Sequence, residues 1–415
     1  MIPERMTFMV RVLVIGFVIS LGMLGTTYAA TYYVSKSGSN SNSCATAQSP
    51  GSSAKLTIAA GAACMSGGDT LHIQAGTYVE NLTAVNGFTW RSGVSSNQRT
   101  TYARYQNDVV TIRPNITGRV DHLVTLSNVQ YITLDGLIFD AQNETIANIK
   151  FDNSNNLRVV NSEVKNVNYP NGGMCFQING GVGHEVLYNN VHDCDGYGVY
   201  HSGQFGVIDH NVFHDIGGYG IHVYSDTHHV NNNTISNNTL YNNGFSSHFN
   251  DGRPAQFPAM VVSGSDSVSQ GNVAYNNLIY NNWGGVQLAE PGVKFYNNTI
   301  YNNANTECIY IYSSATGGDV RNNICYQNGG GITNAGSNAT ITKNLTSNPM
   351  FVDTANANFH LQAGSPAIDG GLTISTVVND CDGKPRPQGA AYDIGAYEYS
   401  KGLSQPTNFR IVSSK

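Results

Sequence analysis

Charge is what this chain has least of. Only 12% of its 415 residues are Asp, Glu, Lys or Arg, against about 25% in an average soluble domain. The formal net charge is −6, so there is no basic footprint for a nucleic-acid partner. Strong helix formers are also scarce, which excludes long Lys/Glu/Ala helices. Beyond the first thirty residues no apolar run is long enough to span a bilayer. What is present excludes disorder: 40% of the chain is hydrophobic, with 24 Tyr and 15 Phe. Gly (45) and Asn (about 50) make up roughly a quarter of the residues. Composition stays even from Thr31 to Tyr399, as expected for one long β architecture punctuated by turns.

The first thirty residues differ from the rest. Arg5 and Arg11 precede an apolar run from Val12 to Leu24, and Thr27-Tyr28-Ala29 follows. This is the layout of a secretory signal cut after Ala29; a membrane anchor would need about 20 apolar residues. Removing Glu4, Arg5 and Arg11 leaves 19 basic and 26 acidic residues, a net charge of −7. The expected product is an exported monomer with no membrane span, extracellular or periplasmic, where disulfides are permitted. Cys44 and Cys64 are expected to pair. Cys175 with Cys194 and Cys308 with Cys325 are either bridges or small buried residues, and Cys381 is left over. The spacings match no zinc ribbon or finger.

A repeat defines the architecture. An Asn or Asp followed closely by an aliphatic recurs at Asp135, Asn161, Asn190, Asn211, Asn238, Asn277, Asn298, Asn323 and Asn344, at a mean spacing of about 26 residues. Glycine-led strands follow, at Gly198, Gly220, Gly285 and Gly331. The period is too short for a propeller blade and shows no helical face. It fits one turn of a parallel β-helix. Aliphatics would stack inward in columns, while Asn at tight corners tolerates left-handed geometry and bonds its equivalent one turn away. These Asn are read as structural, not as ligands.

Both ends read as caps, which an open stack of strand edges requires. Lys55–Met65 is expected to form a short amphipathic helix, and Gly68–Glu80 reads as turn, strand, turn, strand. Domain boundaries are expected at 1–29 (signal), 30–346 (β-helix with its N-terminal cap), 347–399 (C-terminal turns and cap) and 400–415 (polar tail). TYYVSKSGSN at Thr31, GDTLHIQAGTYVE at Gly68 and the ending SPAIDGG (365–371), DCDGKPRP (380–387) and DIGAYEY resemble secreted bacterial right-handed β-helix proteins of the pectate-lyase-like superfamily. The resemblance covers nearly the whole chain after the signal. It implies an all-β right-handed solenoid, in a superfamily that includes polysaccharide lyases, glycoside hydrolases, uronan epimerases and non-catalytic surface proteins. Fold alone does not choose among these.

A long sheet face is a natural trough for an extended polysaccharide. Aligned strands place Gln177, Tyr200, His222, Gln287, Tyr310 and Thr333 in an outward ladder, with Asn179, Tyr224, Ala289 and Tyr312 two residues on. Tyrosines stack on sugar rings and amides bond hydroxyls, and Trp283 sits just before one of these strands. β-Propensity alone would also enrich Tyr here. Two consecutive turns align His192-Asp193-Cys194-Asp195 with His214-Asp215. Asp193, Asp195 and Asp215 are therefore expected either to hold a cation, with Ca²⁺ favoured by oxygen-rich, sulfur-free surroundings, or to form a metal-free polar ladder. Asp209, His210, Asp226, His228 and His229 add to the density. The one long interval, Asn238 to Asn277, carries an insertion at Phe245–Pro258 with His248, Asp251 and Arg253; it is either a functional loop or a plain surface insertion.

β-Elimination needs a neutralised uronate carboxylate, a base at C5 and an acid at the leaving oxygen. His222, Tyr200, Arg253 and Asp215 are the catalytic candidates; Gln177, Tyr224, Trp283, Gln287 and Tyr310 are the binding candidates. Hydrolysis needs two carboxylates about 5–9 Å apart, for which Asp193, Asp195 and Asp215 are available. A uronan epimerase would share the lyase's chemistry. Elimination is slightly favoured, and a non-catalytic glycan-binding protein using the same face is the alternative.

Overall fold

The computed structural model describes residues 29–116, 120–168, 172–224, 227–245, 256–264 and 269–400. Each turn contributes one short strand to each of three parallel sheets. In one turn, Glu185–Leu187 lies in the first sheet, Asn190–Cys194 in the second and Tyr197–His201 in the third; Val207–Asp209 then returns to the first. The sheets have 12, 10 and 9 strands, each paired with the equivalent strand one turn away. Parallel crossovers of this kind wind right-handedly, giving the expected right-handed parallel β-helix.

The interior is built of stacked columns. In the second sheet Tyr78, Ile112, Phe139, Val164, Val191, Phe213, Leu240, Ile279 and Ile300 follow one another in register and are almost entirely buried. Columns of identical register mean that every inward side chain packs on a like neighbour above and below it.

Asparagine does divide its labour at the corner between the first and second sheets. Asn211, Asn238, Asn277, Asn298 and Asn323 are buried. Each donates its backbone N–H and its side-chain amide to the Oδ1 of the next, at 2.9–3.0 Å. The left-handed backbone is taken by the residue before: Asn237, Asn276, Asn297 and Asn322 have φ of 49–58°. A single Asn was expected to do both jobs; an Asn-Asn pair shares them. Earlier in the solenoid the ladder residue is Asn189, not Asn190, and Ser162 stands at its start.

A short helix, Ile58–Cys64, covers the first turn. Thr57 caps it, and Glu80 accepts from the N–H groups of Ile58 and Ala59. The expected Cys44–Cys64 pair is a disulfide; Cys175–Cys194 and Cys308–Cys325, for which the sequence left bridge or buried thiols open, are disulfides as well, and Cys381 is the free thiol among the described residues. The C-terminal segment does not close over the last turn, where Ile341 stays 38% exposed. It packs sideways instead. Phe351, Phe359, Leu361 and Ile394 lie against Tyr280, Tyr301 and Tyr326 on the outside of the second sheet. Ile374 and Val377 lie against Tyr275 and Tyr296 on the first. The DCDGKPRP and DIGAYEY motifs form its clasp, with the Arg386 guanidinium bonded to Glu398, Asn276 Oδ1 and the Gly395 carbonyl. No described helix is long and apolar enough to cross a membrane.

Candidate functional site

The third sheet is the one whose outer face this C-terminal segment leaves alone. Its outward column runs Thr125, Lys150, Gln177, Tyr200, His222, Val261, Gln287, Tyr310 and Thr333, each opposite the next on neighbouring strands. At about 4.8 Å per strand, these nine positions make a straight row of roughly 38 Å. The ladder expected from the sequence is thus brought together in register. Two residues on, Ser127, Asp152 and Asn179 form the start of a second column. Tyr224 and Tyr312 continue it, with N–H groups bonded to the carbonyls of the preceding turn.

His222 is the centre of an aromatic cluster. Its ring stacks on Tyr219 (4.5 Å), Tyr224 (5.1 Å) and Tyr197 (5.3 Å), and Tyr200 meets it edge-on at 5.4 Å. Tyr219 in turn meets Phe257 at 4.9 Å, where the chain returns from the long insertion. Burial raises the pKa of the Tyr197 and Tyr219 hydroxyls, the latter to about 12. The cluster is a half-desolvated patch in which a histidine and several phenols stand within reach of one another. Tyr310 and Tyr312 form a second aromatic pair at 4.6 Å. Trp283 is half-buried, its backbone N–H bonded to the Asn243 carbonyl, and it directly precedes the strand that carries Gln287.

Two residues escaped the sequence reading. Lys150 is the one cation of the column, and His122 shares its surroundings. Burial lowers the His122 pKa and Lys150 adds to this, while Gln177 bonds its ring. Strand Thr145–Asp152 lacks the leading glycine by which the other outward positions were aligned. Extending the alternation back from Gln177 by one turn was the signal that would have found Lys150.

The His-Asp pairs sit elsewhere. His192 and His214 pair on the second sheet, with rings stacked at 4.8 Å, and Tyr241 continues the stack. Asp193 and Asp215 take left-handed backbone at the ridge between the second and third sheets. Each is bound by its own neighbour, at 2.7 Å to His192 and 2.6 Å to His214. Asp215 also accepts from Asn242, so this expected catalytic residue is engaged on the ridge and not in the column with His222. Burial opposes charge on His192, but bonds to Glu163 and Asp193 outweigh it and raise its pKa; the same bond lowers Glu163 to about 2. Asp193, Asp195 and Asp215 line one cleft of about 570 Å³. Among the described residues no group of three or more His, Cys, Asp or Glu is placed to hold a metal ion. Arg253, with His248, Asp251 and Asp226, lies outside the described residues.

Residues 175–346 match the family model for a right handed beta helix region. Among solved structures the chain is similar to a pectate lyase, Pel9A, with a TM-score of 0.65 at 16% identity, over 89% of this chain and 96% of that one. It is also similar to a rhamnogalacturonan lyase (TM-score 0.44, 14% identity, 81% and 96% covered). A lacto-N-biosidase from Eubacterium ramulus is a further match (0.44, 10%, 75% and 68%). No curated protein sequence matches. The fold is a right-handed parallel β-helix; at such identities the likeness speaks to fold alone.

Proposed function

We propose that this is an exported carbohydrate-active protein that binds an extended polysaccharide along the outer face of the third sheet and cleaves it, by β-elimination of a uronate polymer in preference to hydrolysis. The observation that carries this reading is the register of Lys150, Gln177, Tyr200, His222, Gln287 and Tyr310 along one row, with aromatic clusters at His222 and Tyr310. Amides for hydroxyls, phenol faces for sugar rings and a cation for a carboxylate make up a glycan-binding set.

His222 is the base of this proposal, taking the proton at C5, and Tyr200 or Tyr224 supplies the proton to the leaving oxygen. Lys150 stands about 14 Å from His222, three strand spacings away. It therefore holds a different uronate of the same chain, and neutralising the reacting carboxylate falls to Arg253 or to a bound cation. Hydrolysis is disfavoured because the outward column carries no carboxylate, whereas it needs two. Epimerisation would use the same proton abstraction with return of the proton to C5.

The test is incubation with polyuronates, sulfated glycans and neutral glycans, each with Ca²⁺ and with chelator. Ultraviolet absorbance of an unsaturated sugar and new reducing ends are followed together. Both signals are expected from a polyuronate. Reducing ends alone would replace elimination by hydrolysis, and retardation of a glycan without either signal would make the protein a binder.

A further inference from the structure

Beside Tyr200 the trough has a side pocket that the elimination chemistry does not use. It is a cleft of about 250 Å³ lined by Asp152, Asn153, Asn179, Ser202, Thr227 and His228, with Tyr200 as its wall towards the trough. Its volume is below the about 300–1,000 Å³ of pockets that take drug-sized ligands, which suits a single small ring. Asp152 and Asn179 are cross-strand partners, so their side chains stand side by side on one floor. The opposite wall is Thr227 and His228, and the His228 ring lies over Gly180. A Cβ at Gly180 would come within 3.0 Å of that ring, and the backbone there has φ +68°. Glycine is what allows this wall to sit so close to the sheet.

The lining is rich in hydroxyl and amide groups, has one carboxylate, and contains no Lys or Arg. A carboxylate or sulfate seated there would meet the charge of Asp152 with no Lys or Arg in the lining to offset it. Vicinal hydroxyls, by contrast, would donate to Asp152 in charge-assisted bonds, the strongest kind available to a neutral sugar. Lys150 lies two residues before Asp152 on the same strand and outward on the same face, but belongs to the main row. Adjacent positions are thus built for opposite partners.

We infer that this pocket receives one neutral, hydroxyl-rich sugar ring, so that the preferred polymer is a heteroglycan carrying neutral sugars beside its uronates. The inference rests on the proposed binding of a glycan to this face. The neutral ring comes either as a branch or as an alternating member of the main chain.

The experiment has two parts. Saturation-transfer NMR of the full protein with methyl glycosides of neutral sugars and of uronic acids reads the pocket without any turnover. A neutral glycoside is expected to bind and the uronates not. Asp152→Ala is expected to weaken that binding at least about tenfold, the loss of one hydrogen bond to a charged group; Asn179→Ala is a second variant should Asp152→Ala not fold. Equal binding of uronates, or neutral binding unchanged in both variants, would overturn the inference. The second part compares a uronate polymer carrying single neutral branches with its debranched form and with a strictly alternating polymer. Preference for the branched or the alternating form tells the two sources apart, and either supports the pocket. If no polymer binds while a neutral glycoside does, the trough reading fails and the pocket stands. If polymers bind and are cleaved but no neutral glycoside binds, the pocket fails alone.

Discussion

In the proposed reaction His222 is the base, and in the structure three rings stack on it and a fourth meets it edge-on. Replacing it by Ala should lower turnover by about 10²–10⁴-fold, the range for a lost general base, while leaving glycan retardation within a few-fold. Equal losses of turnover and binding would make it a packing residue. Two other histidines bear on stability. His184 and His201 are buried, and burial lowers their pKa values to about 3 and about 4. His201 even occupies an inward column between Ile178 and Val223. Both stay neutral in the native state, whereas the unfolded chain takes up protons below about pH 6.5. Stability is therefore full above that pH and is lost as pH falls through about 4 and then about 3. At pH 5 each histidine should cost about 2 kcal/mol. Urea midpoints at pH 7 and pH 5 test this: His201→Gln should lose less than the wild type, and parallel losses would contradict it.

The asparagine ladder decides the element scale. Asn277 accepts from both the N–H and the amide of Asn238, and donates to Asn298 and to the Ile235 carbonyl. Asn277→Ala would leave buried donors without acceptors, at about 1–3 kcal/mol for each group. A loss of about 3 kcal/mol or more is expected by urea unfolding; less than about 1 kcal/mol would mean the ladder is ornamental. Much of this was legible in the sequence, since an Asn at each corner and an alternating aliphatic pattern leave few alternatives to a β-helix. The split between a left-handed Asn and its bonding neighbour was not legible, because the repeat records residue types and not φ. The site divided in the same way. Gln177, Tyr200, His222, Gln287 and Tyr310 were found because glycine-led strands could be aligned, whereas Lys150 has no such marker. Asp193 and Asp215 align in sequence as well as His222 does, yet they belong to a different sheet edge. Alignment gives neighbours along the axis but not the face they share.

At the scale of the molecule, the C-terminal segment determines which face is free. It occupies the outside of the first and second sheets over the last turns and leaves the third open. Arg386 and Glu398 hold it with side chains that are wholly buried. Arg386→Ala should therefore cost about 3–5 kcal/mol, as loss of one partner of a buried pair does, and should speed proteolysis within 347–400. A cost below about 1 kcal/mol would show that the clasp does not hold. The central claim is that a glycan lies along the third sheet, and hydroxyl-radical footprinting with the most strongly retarded glycan of the panel tests it most directly. Protection of Tyr200, Tyr224, Tyr310 and Tyr312 is predicted, with Tyr33 on the first sheet and Tyr105, just past a strand of that sheet and packed on Tyr33, oxidised as in free protein. Protection of Tyr33 and Tyr105 with the third-sheet tyrosines unchanged would contradict the account.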